Sequence, residues 1–227
     1  MTLDPALERL LRRPDIWQGR QPHGLPDGES TGFEALDTRL PAGGWPRGGL
    51  TELLPARPGI GELRLLMPAL ARLSQGARWV AWIDPPHIPY AAGLYAAGVD
   101  LAHTLVVRAR DEHERLWALE QALRAGTCAA VLGWPGHLDD KTARRLQLAA
   151  EAGGCLGFLF RAPTVRDEPS FAALRLALTS ERGGLTLENL RPRGGAATLR
   201  LHLAATELFP PAIGSSGGRS TLAAGDS

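Results

Sequence analysis

Apolar residues along the chain fall into short runs that alternate between two periods. Leu3, Leu7, Leu10 and Leu11 share one face at helical spacing, which predicts an amphipathic helix over residues 1–13 that Pro14 stops. Residues 18–30 are rich in Gly and Pro and read as a linker, so the main domain is expected to start near Ser30. Strands are predicted at 50–54, 78–83, 104–107, 128–133 and 155–160. Between them lie helical patterns at 62–74, 89–97, from Asp111 to about Ala125, and 139–152. Asp111 and Glu114 form a capping-box-like pair, and Gly153-Gly154 is a helix stop. Such alternation predicts an α/β fold with a mostly parallel sheet and helices on both faces.

The pattern changes after Phe160. Three β-like runs, 172–180, 184–190 and 197–203, are separated by Arg182-Gly183-Gly184 and Arg193-Gly194-Gly195. They are expected to extend one sheet edge as antiparallel strands. Residues 210–227 are Pro, Gly, Ser and Ala rich and are expected to be a disordered tail. The expected organisation is therefore 1–29 helix and linker, 30–209 core and 210–227 tail.

Composition removes several classes of function. The 227 residues carry 25 basic and 24 acidic side chains, a formal charge of +1, which is no electrostatic footprint for nucleic acid. The stretch Pro85–Val99 has no charged residue but contains three prolines, and it is shorter than the ~20 apolar residues of a membrane span. The first residues, Met1-Thr2-Leu3-Asp4, lack the basic-then-apolar run of a signal peptide, and a cytoplasmic protein is expected. Cys128 and Cys155 make neither a disulfide framework nor a metal motif, and no metal is expected. Lys141 is the sole lysine, so any mechanism needing a lysine must use it.

A phosphate-binding loop belongs between the first strand and its helix, where backbone N–H groups cradle phosphate. The segment there is Ala56-Arg57-Pro58-Gly59-Ile60-Gly61-Glu62-Leu63. Aligned on Gly61, the first glycine is Ala56, the lysine is Glu62 and the hydroxyl residue is Leu63. A carboxylate at that position repels phosphate by ~4 kcal/mol per charge pair at 4 Å and a dielectric near 20.

The surrounding residues resemble the ATPase core of RecA. Ser30-Thr31-Gly32 through Leu36-Asp37, Gly43-Gly44-Trp45-Pro46-Arg47-Gly48 and Thr51-Glu52-Leu53 carry the likeness, as do Ala81-Trp82-Ile83-Asp84, Gly98-Val99-Asp100 and Ala122–Gly126. The resemblance implies a RecA-like, P-loop-type fold without its chemistry. Pro86 stands where the family has its catalytic base, and Gly133 or Trp134 where it has the metal-holding aspartate. The nucleotide-sensing glutamine falls near Phe160-Arg161. No cofactor and no enzymatic activity are expected.

Residues 65–163 also resemble SulA, the SOS-induced cell-division inhibitor, through Leu65–Leu70, Arg78-Trp79, Val131–Trp134 and Gly157–Arg161. The double likeness, with Gly59-Ile60-Gly61-Glu62 in the loop, resembles ImuA, the accessory family of translesion synthesis. That resemblance implies a non-catalytic protein of the mutagenic DNA-damage response. Its implied partners are an ImuB-type inactive Y-family polymerase, an error-prone replicative-type polymerase subunit and RecA, with DNA contact weak or indirect and self-association possible. The alternative is a SulA-like inhibitor that binds the tubulin-like division protein. Trp79, Trp82 and Trp117 are expected in the core. Trp17 with Arg12, Arg13 and Arg20, and Arg191 with Arg193, are the expected contact residues.

Overall fold

In a computed structural model, residues 28–181, 183–190 and 200–208 are described. The elements are α1 (Glu34–Asp37), β1 (Gly49–Pro55), α2 (Met67–Ser74), β2 (Trp79–Ile83), α3 (Ala91–Ala96), β3 (Thr104–Val107) and α4 (Glu112–Arg124). They continue as β4 (Cys128–Gly133), α5 (Asp140–Gly153), β5 (Leu156–Phe160), β6 (Leu174–Glu181), β7 (Gly184–Asn189), β8 (Arg200–Ala204) and α6 (Ala205–Leu208).

All eight strands form one sheet in the order β3-β2-β4-β5-β1-β6-β7-β8. Strands β1 to β5 are short apolar runs, and β1, β4 and β5 lie inside the sheet with almost every residue buried. One face packs Leu53, Trp82, Leu132, Phe158 and Leu176 against α2 and α3 residues such as Leu70 and Leu94. The opposite face packs Leu50, Ala81, Val131 and Leu159 against Leu119 and Leu123 of α4 and Leu146 and Ala149 of α5.

Both long helices start on carboxylate caps. Asp111 accepts from Glu114 N at 2.8 Å, and Asp139 accepts from Thr142 N at 2.7 Å. The Glu114 carboxylate reaches Arg110 N at 2.7 Å, one residue before the cap, so the box is offset by one. Helix α5 ends at Gly154, whose φ of 57° is the left-handed stop that glycine permits.

The expected RecA-like, mostly parallel P-loop sheet is corrected to a mixed sheet. β6 is not antiparallel to its neighbour: Leu174 to Leu178 run parallel to Thr51 to Pro55 of β1. β7 and β8 then turn back as antiparallel strands. The 161–173 connection carries the chain over β1, from β5 on one side to β6 on the other, and such crossovers give parallel neighbours. The helix expected to follow the loop directly is also displaced. Residues 62–66 form turns, and α2 begins at Met67, with Pro68 in its first turn where no N–H is needed.

Candidate functional site

In open α/β sheets, ligands sit beyond the carboxyl ends of the parallel strands. Here that rim consists of the segments after β1, β2, β4 and β5.

After β1, Ala56 N donates to Leu178 O at 2.9 Å and anchors the loop to β6. Gly59 and Gly61 then adopt φ of 79° and 107°, a region side-chain-bearing residues avoid. Glu62 folds back over them. Its Oε1 accepts from Gly59 N at 2.8 Å and its Oε2 from Gly61 N at 3.1 Å. Amides that would face phosphate are thus occupied by the chain's own carboxylate. Leu63, at the hydroxyl position, packs with Ile60 against the main core.

After β2, Asp84 has a φ of 48°, the only positive value outside glycine among the described residues. Its N–H donates to Val107 O at 2.7 Å, and its Oδ2 accepts from Arg115 Nε at 2.8 Å. Arg108 lies 3.6 Å from Oδ1. Burial pulls the Asp84 carboxyl up, but the Arg115 hydrogen bond and charge, the Ala109 backbone and Arg108 together hold it below the usual carboxylate range. Pro86, at the base position, is exposed.

After β4, Gly133 is fully enclosed. A Cβ there would lie 2.5 Å from Leu119 Cδ1, so an aspartate at this point has no room. Trp134 stacks between two rings, Phe160 at 4.6 Å and 5° and Trp82 at 6.0 Å and 17°. This ladder crosses the ends of β2, β4 and β5.

After β5, Arg161 joins a buried cluster that the sequence reading missed. Glu52 of β1 accepts from Arg161 Nη1 at 3.2 Å and from Arg175 Nε of β6 at 2.8 Å, and all three side chains are no more than 5% exposed. Arg175 also donates to the carbonyls of Arg166 (2.9 Å), Glu168 (2.7 Å) and Val165, which pins the connection after β5. A cavity of about 210 Å³ lies beside the cluster, walled in part by His137, Asp139, Glu168 and Ser170. The available signal was one acid inside the apolar run Leu50–Leu54, an arginine directly after Phe158–Phe160 and another inside Leu174–Leu178.

Three tryptophans were expected in the core. Trp82 is buried at 1%, but Trp79 is 40% and Trp117 57% exposed, because Trp79 opens its strand and Trp117 faces away from the sheet-facing Leu119 and Leu123. Trp45 fills a core place instead, edge-on to Phe158 at 5.4 Å. Arg12, Arg13, Trp17, Arg20, Arg191 and Arg193 lie outside the described residues. Among the described residues there is no His/Cys/Asp/Glu group fit for a metal, and no helix is long and apolar enough to cross a membrane.

These features define an α/β protein whose rim is filled by its own side chains. A family model described as "Cell division inhibitor SulA" matches residues 50–157. Two relatives of that name are similar to this chain. The protein of Edwardsiella piscicida is 38% identical over 97 residues, covering 43% of this chain and 58% of the relative. That of Photorhabdus laumondii is 34% identical over 112 residues, covering 49% and 63%. The chain thus spans about three fifths of the length of these curated relatives. The crystal structure of SulA from Pseudomonas aeruginosa is 30% identical, with 49% of this chain and 97% of that one covered at a TM-score of 0.42.

These findings overturn the ImuA resemblance. The matching family is the cell-division inhibitor, so the expected RecA, ImuB-type and polymerase partners and the translesion role are withdrawn. The family whose model matches is described as one of inhibitors, not of enzymes.

Proposed function

We propose that this protein is a SulA-like inhibitor of cell division, acting in the cytoplasm by binding the tubulin-like division protein rather than by catalysis. The observation that carries the reading is the match of residues 50–157, which span β1 to the start of β5 and include the rim after β1, β2 and β4. A rim occupied by Glu62, Trp134 and Leu63 suits a protein that works through its surface. In this reading residues 30–209 are the folded unit, and Arg12, Arg13, Trp17, Arg20, Arg191 and Arg193 are partner contacts.

Induced expression in a rod-shaped bacterium should give long cells without septa. The purified chain should also bind the division protein and stop its GTP-dependent assembly. Normal septation together with undetectable binding would remove the proposal.

A further inference from the structure

We propose that the turn Gly59–Glu62 is an anion-binding nest whose occupant is the chain's own Glu62 carboxylate, and that removing this carboxylate opens the turn to an inorganic oxyanion such as phosphate. The two carboxylate oxygens take separate amides, at 2.8 and 3.1 Å, as two oxygens of a phosphate would. Backbone N–H groups converging in this way form an anion site without any cationic side chain. The two amides hold the Glu62 carboxylate in the turn.

The glycines support the same reading. A Cβ at Gly59 or Gly61 would meet nothing within 4 Å, so space does not require glycine there. Positive φ requires it, and the positive φ is what turns the two amides toward one oxyanion. Both ends of the turn are fastened independently of Glu62, by Ala56 N to Leu178 O at 2.9 Å and by Leu65 N to Gly61 O at 3.2 Å. The nest therefore persists when its occupant is removed. A tethered carboxylate competes at a high effective concentration, which excludes free anions from the natural protein.

Glu62→Ala and Glu62→Gln should be made in the full chain and titrated with inorganic phosphate against chloride at equal ionic strength. The readouts are the Gly59 and Gly61 amide resonances and the melting temperature. The natural protein should show no phosphate-specific change. In Glu62→Ala both resonances should shift and saturate, and the melting temperature should rise with phosphate as binding to the folded state requires. Glu62→Gln keeps one acceptor oxygen and should respond less. It also carries the test if the alanine variant fails to fold. Unmoved Gly59 and Gly61 resonances in the variants, or equal movement in the natural protein, would overturn the proposal.

Discussion

The sheet has two regions of different character. From β1 to β5 every neighbouring pair is parallel, and this region contains nearly all of the stretch that matches SulA. From β6 to β8 the chain lies outside that match and runs as an antiparallel meander joined to β1. The rim of the first region is occupied by apolar rings and a self-bound carboxylate. The second contributes a buried guanidinium that links the regions, Arg175, held by Glu52 at the centre of β1. A matched region can thus depend for its folding on residues that the match does not include.

The most severe way to test that dependence is to end the chain at residue 173. Leu176, Leu178, Leu185, Leu187, Leu201 and Leu203 all belong to the main core cluster. Each buried leucine contributes about 1.5–3 kcal/mol, and a whole domain is stable by only ~5–15 kcal/mol. The shortened chain should show no cooperative melt by circular dichroism. A sharp transition would mean that the matched region is autonomous and the meander an ornament.

A milder cut leaves the meander in place and removes its electrostatic join. Glu52→Ala strands two guanidinium groups inside the protein and should cost about 3–5 kcal/mol in denaturant unfolding. Replacing Glu52, Arg161 and Arg175 together by Leu, Met and Met should cost far less, because no charge is then left unpaired. If the single and triple variants lose equal stability, the cluster acts by shape and not by charge.

The same contrast explains what could be read from the chain. β2, β3 and β4 are apolar runs bounded by turns, and their observed bounds lie within a residue of the expected ones. Period and composition suffice there because each is an apolar run of strand length with turn residues at its ends. The direction of β6 was not legible, since Leu174–Leu178 reads the same whether its neighbour is parallel or antiparallel. The 161–173 connection decides it, and no periodicity encodes that path. Glu62 stands out in the sequence as a carboxylate in a glycine turn, but its bonds to Gly59 and Gly61 depend on a turn visible only in three dimensions. Family likeness misled for a related reason: Ser30–Leu54 carries the RecA-like opening, whereas the matched residues begin at Leu50.

The rim of the first region offers a further test. Gly133→Ala places a methyl group against Leu119 Cδ1, and overpacking of this kind costs about 1–3 kcal/mol. Helix α4 must shift or Leu119 must change rotamer, so the thermal melt should fall while β6 to β8 keep their amide exchange protection. Equal loss of protection in both regions would show that they unfold as one unit.

The smallest effect is expected at Asp84, where charge and backbone strain can be separated. Its carboxyl is held below the ordinary value of 3.8, chiefly by Arg115 against the opposing effect of burial. A depressed native pKa adds stability that is present above the unfolded value and lost as pH falls through the native one. The natural protein should therefore lose this contribution below pH 3.8, and Asp84→Asn should not. Asparagine tolerates the left-handed backbone well, so the φ of 48° costs little in the variant. What remains is one charge-assisted hydrogen bond, which contributes about 1.5–3 kcal/mol at most and less where Arg115 keeps Glu112 as a second partner. At pH 7 the variant should be less stable by about 1 kcal/mol, and the gap should close on acidification. A gap that stays constant from pH 7 to pH 3 would assign the whole effect to packing at the end of β2 and none to the ion pair.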